Sequence, residues 1–276
     1  MKTTFAVVLL LAQLADGDRH WAMRAEGSHG GHATATHIDA AIAAYRQAVA
    51  QNPNDIRTRS KLLAAFRFKG AYVATSSDQK KQVYAAAKEA GAEAVKVVER
   101  ALAARGLKSP DKATEKQVAD AARAIPGAGE VYLWDAINWG EWALAYGKMA
   151  AARQGAADRI RREATIAMLV DPKMEGGSPA RVLGRLHDQT PRIPFITGWA
   201  SGREAVRFLN ESYKIDPANK ITLVFLAEAM VSNDASTKPK AIELLRKAAT
   251  APNEPEFLVE QATAQADAEA LLKKWQ

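Results

Sequence analysis

The sequence predicts an all-α fold: an irregular array of paired helices around a central cavity or a concave groove. Three observations predict it. Alanine supplies 58 of the 276 residues, and closely packed helices accommodate so many small side chains well. Aromatic residues make up only 7%, a poor supply for a β-sandwich or barrel. Apolar residues then recur every three to four positions in segment after segment. With 48% hydrophobic and 25% charged residues, the chain belongs with ordered globular proteins. It contains no cysteine, which excludes disulfides, zinc–thiolate centres, iron–sulfur clusters and cysteine nucleophiles.

The elements follow in order. Lys2 precedes an apolar run from Phe5 to Ala12, closed by Gln13–Asp16. Residues 1–15 therefore read as a short secretory signal, with Ala15 as a processing point. The run is far below the roughly 20 residues that span a bilayer. Residues 16–36 read as a flexible mature linker carrying His20, His29 and His32, with His37 just beyond. Nothing forces those imidazoles onto one ion, so no metal is assigned. Residues 37–276 form a single helical-repeat, ligand-binding domain.

Its first helix, 37–51, shows one apolar face through Ile38, Ala41, Ile42, Tyr45, Ala48 and Val49, and Asn52-Pro53-Asn54 stops it. A second pattern runs through Ile56, Leu62, Leu63, Phe66 and Tyr72. Helices over 79–104 and 112–124 follow, and 131–152 reads as one helix despite Gly140 and Gly147. After a helix at 156–170, glycine and proline crowd 174–202, where a short helix at 179–187 sits in a long ordered loop. Four more helices fall near 202–214, 218–232, 237–250 and 254–273.

A repeat underlies these boundaries. Ala41, Tyr45, Ala48 and Pro53 are separated by four, three and five residues. Ile160, Ala164, Ala167 and Pro172 repeat that spacing, as do Ala205, Leu209, Ser212 and Pro217. Ala241, Leu245, Ala248 and Asn253 repeat it again, with Pro252 one residue early. Small residues let a second helix nest against the first, and proline ends the helix and turns the chain. The pattern resembles degenerate tetratricopeptide repeats.

Two constellations carry candidate chemistry. In Tyr132–Tyr146, Trp139 and Trp142 lie three apart and Tyr146 four further on, so one helix face stacks three rings. Trp134 adds aromatic surface, and Asn138 and Glu141 share a neighbouring face. These residues suit an elongated ligand, core packing or a protein interface. In Gly176–His187, Arg181 and Arg185 are four apart and can clamp a carboxylate, with His187 near the same mouth. Phe195 and Trp199, in the proline-restricted loop that follows, are candidate pocket walls.

WDAINWGEW, the ordered GGSPARVLG…TPRIPF…GWASGREAV region and LVFLAEAM together resemble the periplasmic T component of TRAP-type transporters, over about residues 37–250. The resemblance implies a helical scaffold around a ligand cavity and a periplasmic accessory role. It also implies a solute-binding protein and transporter complex as partners, and a homotrimer. It carries Trp134, Asn138, Trp139, Trp142, Arg181, Arg185 and Trp199 into ligand contact. No signal-boundary cysteine is present for a lipid anchor, so membrane association would run through protein partners.

The expected function is binding of a hydrophobic small molecule (an organic acid, lipid or sterol) for transport or transfer to a partner. The alternative is a tetratricopeptide scaffold for protein–protein interaction. The formal charge is +7, but acids are interspersed with the basic residues, and no nucleic-acid partner is assigned. No cofactor or catalytic residue is assigned either. GGSPARVLG lacks the GK[ST] ending of a phosphate loop, and GWASG does not match a serine elbow.

Overall fold

The computed structural model describes residues 13–275, and its regular structure is helical apart from one bridge between His29 and His32. Residues 13–22 form α1. The next helices are α2 (Ala35–Gln51), α3 (Ile56–Phe68), α4 (Ser77–Ala104), α5 (Glu115–Ala122) and α6 (Ala128–Tyr146). After these come α7 (Lys148–Arg153), α8 (Ala156–Val170), α9 (Met174–Gln189) and α10 (Gly202–Ile215). The chain ends with α11 (Lys220–Asn233), α12 (Lys238–Thr250) and α13 (Leu258–Trp275).

Most of the expected signal segment, residues 1–12, lies outside the described residues. The segment expected as a linker is packed. Trp21 meets Phe68 edge-on at 5.9 Å. Asp18 accepts from the Tyr45 hydroxyl at 2.8 Å and from Lys61 Nζ at 2.6 Å. Here the apolar and charged side chains between the glycines decide the outcome.

The repeat reads directly as packing. Ala41, Tyr45, Ala48, Ile160, Ala164, Ala167, Ala205, Leu209, Ser212, Ala241, Leu245 and Ala248 are all buried. In each set the helix stops just before the proline, because a residue preceding proline is pushed out of the helical region. Asn52, Asp171, Asp216 and Ala251 take ψ values of 82°, 105°, 90° and 144°. The N–H groups of Asn52, Asp171 and Asp216 donate to the carbonyls of Ala48, Ala167 and Ser212, the third member of each set. Partner helices start on side-chain caps: Asp55 accepts from Arg57 and Thr58 N–H, and Asn219 accepts from Thr222 N–H. Capping boxes at Ser76–Gln79 and Thr114–Gln117 fix the starts of α4 and α5.

Beyond shifts of up to four residues at helix ends, two elements differ from expectation. The helix expected over 131–152 breaks at Gly147, whose φ of +89° and ψ of 165° no helix contains, giving α6 and α7. The helix expected at 179–187 is longer, and α9 carries a kink in its first turn where Glu175, Gly176 and Gly177 take φ values of 49°, 62° and 79°.

The array closes on itself. Val259 of α13 packs into the cluster built by α2 and α3. Thr263 Oγ1 donates to Gly31 O at 3.2 Å, and a side chain at Gly31 would collide with that threonine. Arg24, buried, donates to Glu260 Oε1 at 3.0 Å and to the Glu256 carbonyl. These contacts seat α13 on the N-terminal segment. A chamber remains between α3, α4 and α6 on one side and α11 and α13 on the other.

Candidate functional site

The chamber has a volume of about 550 Å³ and opens to solvent. Its first wall comes from an irregularity after α3. Residues Lys69–Val73 form a π-turn, the wider helical turn often found at functional sites. The five-residue step puts Arg67 and Tyr72 side by side, and the guanidinium donates to the tyrosine hydroxyl. Gly70 makes room for α4: a Cβ there would lie 2.4 Å from Tyr84 Cζ. Tyr84 therefore packs beneath the turn, with its hydroxyl toward Glu141 of α6. Arg67 Nε is 3.6 Å from Glu141 Oε1. Burial works against the Arg67 charge, but Tyr72 and Glu141 hold it protonated. Burial, reinforced by Glu141, pushes the Tyr84 phenol well up, so it stays neutral.

The opposite wall is α11 and α13: Ile221, Val224 and Phe225, then Glu260, Thr263 and Asp267. Ala71, Ala145 and Ala264 keep the interior open. Glu260 gives one oxygen to Arg24, while its Oε2 is buried without a hydrogen-bond partner. The chamber is amphiphilic, with aliphatic and ring surface beside neutral phenols and carboxylate acceptors.

Of the residues expected to bind ligand, Glu141 lines the chamber. Its helix turns Leu144 and Ala145 the same way and the tryptophans elsewhere. Trp139 and Trp142 are buried against α8 and α9, edge to face at 5.5 Å. The Lys88 ammonium sits 4.5 and 4.2 Å from their ring centres. Tyr146 stacks on Trp142 at 4.8 Å and donates to Lys81 O at 3.3 Å. Tyr132 is buried in the cluster of α3, α4, α5 and α8, and Trp134 packs against its edge. Asn138, fully buried, donates to Leu63 O at 3.0 Å and Trp134 O at 2.9 Å, tying α6 to α3.

The arginines are engaged by the chain itself. The buried Arg181 guanidinium donates to Gly176 O and Glu175 O at 3.2 Å each, to Thr222 Oγ1 at 3.1 Å and weakly to Ser212 Oγ. Burial lowers its pKa to about 10, which leaves it charged near neutrality. Arg185 bridges Glu228 at 2.8 Å and Asp188 at 3.3 Å. His187 accepts from Ser201 N–H at 3.2 Å and stacks on Phe208; burial pushes its pKa down. Trp199 donates to Asp158 at 3.0 Å beneath the Arg161 guanidinium. Phe195 projects from its loop into solvent.

Arg67, Tyr72, Tyr84, Phe225, Glu260, Thr263 and Asp267 were not among the expected residues. Arg67 and Tyr72 are five apart, so they share a face only in a π-turn, and the α-helical spacing rule passes over them. Among the described residues no three His, Asp or Glu side chains gather as a metal set.

No family model matches this chain, and no curated protein matches it. Among solved structures, the TPR2AB domain of yeast Sti1 in a pHSP90 complex is 14% identical, with a TM-score of 0.33 over 97% of this chain and 98% of its own. Yeast Tom70 is 15% identical, with a TM-score of 0.30 over 96% of this chain and 65% of its own. Similarity this slight does not extend to function.

Proposed function

We propose that this chain is a non-catalytic binding scaffold whose ligand occupies the chamber between α3–α4–α6 and α11–α13. The supporting observation is the chamber itself, about 550 Å³ of open space lined by Arg67, Tyr72, Tyr84 and Glu141 across from Phe225 and Glu260. That volume falls within the ordinary range for small-molecule sites. Arg67 is committed to Tyr72 and Glu141, and the lining acids Glu141, Glu260 and Asp267 outnumber the lining cations Arg67 and Lys80. A neutral amphiphile that brings a hydroxyl, such as a sterol or a fatty alcohol, therefore suits the chamber better than an organic acid. The sequence resemblance to the T component of TRAP-type transporters supports an accessory transport role in the periplasm, beside a solute-binding protein, as a homotrimer.

A second reading, a protein-interaction scaffold, is favoured by Leu144, Tyr146 and Met149. These exposed apolar side chains lie at the end of α6 and in α7, and Leu144 also forms part of the chamber wall. A peptide laid along them would enter the same space. Calorimetric titration with a sterol, a fatty alcohol and its matched acid, on wild type and Ala145→Trp, tests the first reading. The alcohol or sterol should bind wild type, and the filled chamber should weaken it at least about tenfold with the fold intact. Absence of binding by every amphiphile, together with a peptide that Leu144→Asp and Met149→Asp release, would transfer the chamber to the second reading.

A further inference from the structure

The loop between α9 and α10 is fixed at its base and apolar at its tip. Thr197 staples it. Its hydroxyl accepts from Ile193 N–H at 3.0 Å and donates to Pro191 O, while its own N–H reaches Ile193 O at 2.9 Å. The staple leaves Ile193, Phe195 and Ile196 outside, with relative exposures of 45%, 107% and 62%. Phe195 also sits at φ +64°, a left-handed conformation unfavourable for a bulky residue. Exposed apolar surface and backbone strain thus coincide at one tip, and among the described residues nothing covers it.

The base of the loop is cationic. From Gln189 to Arg203 the sequence holds two arginines and no acid. Neither Arg192 nor Arg203 has a carboxylate within ion-pair distance among the described residues. Both line a recess of about 450 Å³ with Thr190, Ser201 and Asn233, where α10 begins. Asp188, the acid in the recess wall, is already engaged by Arg185 at 3.3 Å and Gln189 at 2.6 Å. Arg161 covers the Trp199 ring at 4.4 Å and is paired with Asp158 at 3.5 Å.

We propose that this loop docks the protein on an anionic lipid bilayer: Ile193, Phe195 and Ile196 enter the interfacial layer, and Arg192 and Arg203 hold a lipid phosphate in the recess. A bilayer offers both halves of the match at once, apolar material below and anionic phosphate above. Three apolar side chains and two cations give reversible attachment. Among the described residues no helix is long and apolar enough to cross a membrane.

Vesicle flotation of the full chain tests this. Phosphatidylcholine vesicles are compared with vesicles in which a third of that lipid is replaced by phosphatidylglycerol. Wild type should float with the anionic vesicles, and added salt should release it. Phe195→Asp with Ile196→Ser should weaken that binding at least about tenfold while leaving the melting temperature unchanged or raised, because aspartate accepts left-handed backbone more readily. Arg192→Gln with Arg203→Gln should reduce binding to the level seen on neutral vesicles. All these variants retain every other apolar segment, so a difference reports the loop alone. Wild type that ignores anionic vesicles, or a Phe195→Asp/Ile196→Ser protein that floats like wild type, overturns the proposal.

Discussion

Arg159 faces two buried carboxylates with one positive charge. It donates to Asp135 Oδ2 at 2.7 Å and lies 3.0 Å from Glu163 Oε1. Burial raises the pKa of both acids, and the Asp135 charge adds to the rise at Glu163. The folded pair thus keeps a proton that the unfolded chain releases in the ordinary carboxylate range. Stability should therefore be greatest at the acid side of that window and fall as pH rises through the raised values. Urea midpoints measured between about pH 5 and 8 should decline for wild type, and Glu163→Gln, which holds a permanent N–H in the proton's place, should flatten the decline. Gly91 makes this arrangement possible, since a Cβ there would lie 1.8 Å from Asp135 Oδ1. Alanine normally favours a helix, yet Gly91→Ala should destabilise by about 2–3 kcal/mol in urea titration, because the buried carboxylate must shift. Helical spacing cannot reveal that Asp135 approaches Arg159 from another helix. Arg181 was expected to clamp a ligand carboxylate, but the groups it holds are the carbonyls of Glu175 and Gly176. Arg181→Ala should cost about 2–4 kcal/mol of stability. A folded Arg181→Ala protein with unchanged stability and weaker chamber binding would make that side chain a ligand contact instead.

At the scale of elements, α9 meets α10 through Gly184, where a Cβ would come within 2.5 Å of Leu209 Cγ and 3.1 Å of Ala205 O. Gly184→Ala should therefore loosen this helix pair and cost about 1–3 kcal/mol, measured by thermal or urea unfolding. Helix positions were legible because their causes are local: the four-three-five spacing, the prolines and the capping residues all lie within a few positions of one another. The α9 kink was not: three successive residues are left-handed there, and Arg181, from the next turn, holds the carbonyls of two of them, Glu175 and Gly176. The π-turn at Lys69–Val73 escaped for a related reason. At this turn Tyr84, from another helix, packs against Gly70, a contact that local spacing does not show.

At the scale of the whole molecule, the chamber exists because residues near 24–31 hold residues near 256–263. Its wall combines Arg67, Glu141, Phe225 and Glu260, positions with no short-range relation in the sequence, so helix spacing located the scaffold and left the site open. Arg24→Ala should leave Glu260 buried without its cation and destabilise the protein by roughly 3 kcal/mol. Amide exchange should accelerate first in α13, at Val259–Ala268, and uniform acceleration through α2–α8 would argue against a local clasp. Open solenoids can lengthen by duplicating a unit, since their ends stay free and need only a polar cap. Here the segment around residues 24–31 and α13 cover each other. An extra helix pair would have to widen the circuit, so gene duplication within this chain would change the size of the chamber.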